Sequence, residues 1–224
     1  MKNSDKLKRY SMFIAGVIFS ALGISLITKA GLGTSPITSL AFVLTFIFPH
    51  SLGEFTMLVN TVMFLIQAAL LGRAFGKVQL LQLPAALLFS ACIDGWMYIL
   101  GFWKTGSYVG QVLMLLLGCV FLGLGIAFEV IPNVLILPGE GLVRVIAGLT
   151  GWRCGLVKTG FDMSIVASAV GVSLFFTGHV LGIREGTVLA ALIVGSISHF
   201  FIEKVSNVLE GWIPDYSDAG DACP

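Results

Sequence analysis

Charge is what this 224-residue sequence has least of. Its 13 Lys and Arg and 12 Asp and Glu make up 11% of the chain, against about 25% in an average soluble domain. Eleven of the charged residues are crowded at the two ends, and only 14 lie between Tyr10 and Ile202. A soluble globule of this length could not cover itself with so few, and with 57% hydrophobic residues and a mean hydropathy of +0.97 the chain reads as an integral membrane protein. The net charge of +1 supplies no basic face to neutralise phosphates, which argues against nucleic acid as a partner. Four cysteines without a CxxC pair suggest neither a metal site nor a disulfide framework. No phosphate-binding glycine loop, HExxH or GxSxG motif is present. The expectation is therefore no enzyme, no cofactor and no metal.

Apolar runs long enough to cross a hydrocarbon core, about 20 residues, fall at about 11–28, 55–71, 80–102, 109–131, 161–179 and 186–202. The first follows Lys2, Lys6, Lys8 and Arg9 like a signal peptide, yet it has no small-residue cleavage site, so a retained span is expected. Two shorter runs, 36–48 and 138–150, each open with a proline. If neither crosses, six spans put both termini in the cytoplasm together with Arg73, Lys77, Arg153, Lys158 and Lys204. Only Lys29, Lys104 and Arg184 are then left outside. If both cross, Arg73 and Lys77 move outside and the bias weakens. The expected fold is thus all-α and polytopic, with six transmembrane helices and two Pro-led re-entrant helices. An eight-span parallel repeat is the alternative. The expected location is a bacterial plasma membrane.

Shifted by 102 positions, the first half lies on the second without a gap. Gly16 meets Gly118, Leu22-Gly23-Ile24 meets Leu124-Gly125-Ile126, Pro36 meets Pro138, and Asn60 meets Asp162. A further slip of three residues brings Ala86-Leu87 onto Ala191-Leu192 and Asp94 onto His199. The chain divides accordingly into an N-terminal stretch 1–10, repeats 11–104 and 105–206, and an acidic tail 207–224 expected to be disordered. Three crossings per half make the second copy enter from the opposite side, the inverted plan of many transporters.

In that plan the chain descends extended from Ala30 to Ser35 at about 3.3 Å per residue and returns as a helix from Pro36. The second copy does the same through Asn133–Leu137. Two helix N-termini, each with unpaired N–H groups and about half a positive charge, then face one another near the midplane. Thr34, Ser35 and Thr38 surround the first, and Gly139 and Glu140 the second, with Arg144 one turn on as the natural i,i+4 partner of Glu140. Asn60 and Asp162 can approach the same point, and Asp94 and His199 could pair as a proton relay. Each has a plainer reading: helix caps for the hydroxyls, a structural ion pair for Glu140–Arg144, an interhelical hydrogen bond for Asp94, and a helix-end role for Glu129. The glycine-rich helices suit close packing and also a homodimer.

The stretch Gly31-Leu32-Gly33-Thr34-Ser35-Pro36 after the first span resembles the "aGLGtsP" segment of bacterial YczE/YitT-like integral membrane proteins. Arg184-Glu185-Gly186-Thr187-Val188 is similar to that group's "GxGTv" pattern. The resemblance covers Tyr10 to Ile202 and implies a multi-pass bacterial membrane protein, with no agreed substrate or site. From the residues themselves, the expected function is a transporter or facilitator of a small anionic or zwitterionic solute. The rivals are a channel on the same scaffold and a non-transporting membrane partner of a larger complex.

Overall fold

The computed structural model describes residues 3–103 and 106–209; the acidic tail beyond 209 and Lys104 lie outside the described residues. Among the described residues eight α-helices follow one another: α1 (Asn3–Lys29), α2 (Ser39–Ile47), α3 (Leu52–Leu71), α4 (Gln82–Ile99), α5 (Tyr108–Val130), α6 (Pro138–Thr150), α7 (Cys154–Thr177) and α8 (Glu185–Leu209). Six of them are long and apolar enough to cross a bilayer, whereas α2 and α6, with nine and 13 residues, are not. Large apolar side chains such as Leu58, Leu65, Leu113, Leu117, Met163 and Leu192 are exposed on the outside. Such an apolar surface needs lipid around it. The protein is an all-α, multi-pass membrane protein.

The sequence explains the helix boundaries. Ser51 and Glu54 form a reciprocal cap at the start of α3, the Ser51 hydroxyl accepting from the Glu54 N–H and the Glu54 carboxylate accepting from the Ser51 N–H. Gly151 and Gly178 end α6 and α7 in the left-handed conformation that glycine adopts without a Cβ penalty. The short Pro36 run begins with a 3-10 turn over Pro36–Thr38 before α2 proper. α7 starts at Cys154, seven residues ahead of the expected span, because Lys158 and Asp162 interrupt the apolar pattern without interrupting the helix. Cys92 and Cys119 are free thiols, while Cys154 is disulfide-bonded, which the cysteine spacing did not indicate.

The centre of the fold is the crossing of α1 and α5. A Cβ on Gly16 would meet the Gly125 carbonyl and the Glu129 backbone, and one on Gly23 would meet Gly118 and Leu122. The backbones touch at both points, so only glycine fits. As residue numbers rise along α1 their partners fall along α5, so the two helices run antiparallel. α8 packs on α5 with Gly186 against Leu115 and Gly123 against Ile197, both numbers rising together, so this pair runs parallel. Elsewhere α4 lies against α1, α2 against α7, and α6 against α3.

Candidate solute-binding cavity

The start of α6 meets the 3-10 turn that leads into α2: a Cβ on Gly139 would strike the Ile37 side chain. Around this meeting point opens a cavity of about 250 Å3. Neither helix start is capped by a side chain. Ser35 and Leu137 occupy the N-cap positions in extended conformation without a side-chain bond, and each is followed by proline. The first-turn N–H groups of both segments therefore lie beside the cavity without side-chain acceptors.

The walls are contributed in pairs. Ser20, Ile24, Thr38, Thr56 and Asn60 line the cavity, and so do Leu122, Ile126, Glu140, Lys158 and Asp162, the residues 102 positions on from each. The pairing is chemically lopsided. Thr38, Thr56 and Asn60 are neutral hydrogen-bonding groups, whereas their counterparts Glu140, Lys158 and Asp162 carry charge. The Lys158 ammonium donates to the Glu140 carboxylate at 3.0 Å, both side chains being largely withdrawn from solvent. Asp162 stands one turn beyond Lys158 on α7, and its Oδ1 is buried without a hydrogen-bond partner. On the opposite wall Glu129 is buried at the end of α5 and accepts from the Ser20 hydroxyl at 2.6 Å. The cavity thus holds three carboxyl groups and one ammonium.

Of the residues singled out from sequence, Ser35, Thr38, Asn60, Gly139, Glu140 and Asp162 come together here. The Asn60 amide donates to the Thr56 carbonyl at 2.9 Å, which holds the side chain against its own helix. Thr34 sits behind the wall, fully buried, in a hydroxyl chain with Thr28 at 2.9 Å and Thr38 at 3.1 Å. The hydrogen-bonded ion pair of Glu140 is made with Lys158 of α7. Arg144, one turn on, lines a second cavity. Asp94 and His199 do not pair. Asp94 accepts from the Ser51 hydroxyl at 2.6 Å and the Gly53 N–H at 2.8 Å, tying α4 to the start of α3, and His199 is exposed on α8.

Lys158, Ser20 and Thr56 also line the cavity without having been singled out from the sequence, and Glu129, read there as a helix-end residue, faces it too. Lys158 had a signal: it precedes Asp162 by four residues, placing both on one face of a helix. Glu129 had one too, since it continues the face of Leu122 and Ile126 at helical spacing.

Among known proteins, the chain is similar to two from Bacillus subtilis (strain 168). It is 28% identical to the uncharacterized membrane protein YczE over 96% of this chain and 95% of the relative. It is 27% identical to the uncharacterized protein YyaS over 88% and 94%. No solved structure matches it. The model of DUF6198, a family of unknown function, matches residues 7–203, and the chain belongs to that family.

Proposed function

We propose that the protein is a small secondary transporter or facilitator, built from two inverted halves, that carries a zwitterionic solute through the cavity between α2 and α6. The observation that carries this reading is the makeup of that cavity: a polar chamber inside a membrane protein, walled by equivalent positions of both halves. Its size, below the roughly 300–1,000 Å3 of drug-sized sites, suits a small molecule. The charges narrow the class. Uncapped N–H groups and Lys158 favour a carboxylate on the solute. Three acidic side chains against one ammonium favour a positive group on the same solute, and Asp162 Oδ1 is an acceptor still in need of a donor. A plain anion would leave that acidic excess unanswered.

Inversion is supported by helix direction. With α2 and α6 turning back, α5 is the fourth crossing and opposes α1, and α8 is the sixth and follows α5. Both directions agree with the contacts of Gly16, Gly23, Gly123 and Gly186. Were α2 to cross, α1 and α5 would be parallel; were α6 to cross, α5 and α8 would oppose each other. In this reading both termini are cytoplasmic and the membrane is the bacterial plasma membrane. Coupling to protons, if the solute is driven by them, belongs to Glu129 rather than to Asp94 or His199.

Thermal unfolding of the purified protein in detergent tests the class, with three panels added: amino acids, monocarboxylates and primary amines. Stabilisation is expected from amino acids alone, rising by about 2.7 kcal/mol at a hundredfold excess over Kd, and is expected to vanish in Asp162→Asn and in Lys158→Met. Stabilisation by none of the panels, together with copurification of a stoichiometric second protein, would instead make the chain a membrane partner. Flux that fails to saturate would make it a channel.

A further inference from the structure

Three bonds close a seam between the extended stretch before α2 and the start of α8. The Gly186 N–H donates to the Leu32 carbonyl at 2.8 Å, the Thr34 N–H donates to the Thr187 hydroxyl at 3.1 Å, and Arg184 donates to the Gly31 carbonyl at 3.2 Å. The fit is tight, since a Cβ on Gly186 would strike the Leu32 carbonyl. The internal shift assigns each of these residues a counterpart. Gly31–Thr34 correspond to Asn133–Ile136, and Arg184, Gly186 and Thr187 correspond to Gln79, Leu81 and Gln82. The backbone agrees with this register. Gly31 has φ +75, and Asn133, at φ +45, is the only non-glycine residue with positive φ among the described residues.

At the counterpart seam there is a gap. Gln79, Gln82 and Asn133–Ile136 stand around a second cavity of about 230 Å3, together with Gln67, Gly141 and Arg144. Gln82 is only 5% exposed, yet its Oε1 has no hydrogen-bond partner. In the closed seam the residue at this position, Thr187, accepts from the backbone N–H of Thr34. The corresponding donor for Gln82 is the N–H of Ile136, a residue on the same cavity wall.

We infer that the second cavity is the open form of the seam closed at Gly31–Thr34 and Arg184–Thr187, and that the protein has a second state in which the closed and open seams exchange. In that state Gln82 Oε1 accepts from Ile136 N–H, and the Leu32–Gly186 bond is broken. Two structurally equivalent halves caught in different conformations are what alternation between opposite sides of a membrane requires of an inverted repeat. With the termini cytoplasmic, the closed seam is the outer gate and the second cavity lies on the cytoplasmic side of the α6 start. This inference rests on the transport reading for its purpose, but its geometry needs no solute.

The test uses the full chain in native membrane vesicles, with its own cysteines replaced. A Gln82→Cys/Ile136→Cys pair is treated with a short thiosulfonate cross-linker, and a separate Leu32→Cys reporter is treated with a membrane-impermeant maleimide from outside. Gly186→Ala, which pushes Leu32 away, is expected to raise both cross-linking and reporter labelling by about tenfold, the population shift that loss of one seam hydrogen bond gives. Thr187→Val, which removes the hydroxyl acceptor at nearly constant volume, is expected to raise both in a chain that keeps its packing. If either seam variant exposes Leu32→Cys while the 82/136 cross-link stays unchanged, or if neither rate moves in both variants, the exchange does not occur. Because no solute enters the assay, failure here leaves the cavity assignment standing. Failure of the solute panels likewise leaves the gates standing.

Discussion

Lys158 carries the charge balance of the cavity. It stands one helical turn before Asp162 on α7, yet it bonds across to Glu140 on α6, so its ammonium joins two helices that also share apolar packing through Val143 and Val157. Removing one member leaves the other poorly solvated. Glu140→Ala is expected to cost up to about 3 kcal/mol, and Glu140→Ala/Lys158→Ala less than the single change, because the double variant leaves no uncompensated cation. Thermal inactivation in detergent reads both, and a double variant weaker than the single would show that the pair contributes no such penalty. In the sequence Lys158 reads only as a flanking positive charge, since it lies just outside the apolar run that marks α7. The i,i+4 spacing offers Glu140 a second cation, Arg144, on its own helix. Spacing along one helix gives the partners a residue can reach, and packing between helices decides which one it has. Asp94 carries the same lesson: its hydrogen bonds go to Ser51 and Gly53, residues some forty positions away that no local pattern connects to it.

At the scale of helices, glycine sets what can cross. Gly16, Gly23, Gly118 and Gly125 bring the backbones of α1 and α5 into contact, and each lies where an added Cβ meets main-chain atoms. Gly148 and Gly171 face open space. Gly23→Ala and Gly118→Ala are therefore expected to lower thermal stability by several degrees. Gly171→Ala, in mid-helix, is expected to be neutral or stabilising by up to about 1 kcal/mol through helix propensity. Equal losses at all three positions in a thermal melt would contradict the crossing. The two short helices were legible because Pro36 and Pro138 open them at matching places and nothing apolar follows for long enough to span. The 3-10 turn at Pro36–Thr38 was not legible, because it depends on how Ser35 and Thr38 bond to each other: the Thr38 N–H donates to the Ser35 carbonyl at 3.1 Å.

In the arrangement we propose for the whole molecule, one relation ties direction, cavity and gates together: the second half repeats the first, upside down, about an axis through the α1–α5 crossing. Gly16 touching Gly125 and Gly23 touching Gly118 are the same contact seen from the two halves, since each glycine lies 102 positions from the other's partner. The cavity wall repeats the pattern with neutral groups on one side and charged groups on the other. The matching positions were readable in the sequence as aligned prolines and glycines. The division of labour was not, because identity of position says nothing about which half supplies the charge.

The inverted arrangement is most directly tested by labelling single cysteines from outside intact cells, on a background without native cysteines, at His50 in the turn between α2 and α3 and at Ala74 after α3. Both residues are exposed, and neither contributes to the cavity. His50→Cys is expected to react with an impermeant maleimide while Ala74→Cys reacts only after the membrane is opened. Reaction at Ala74→Cys with protection at His50→Cys would mean that α2 crosses. The facing helix starts, and the carrier built on them, would then be wrong.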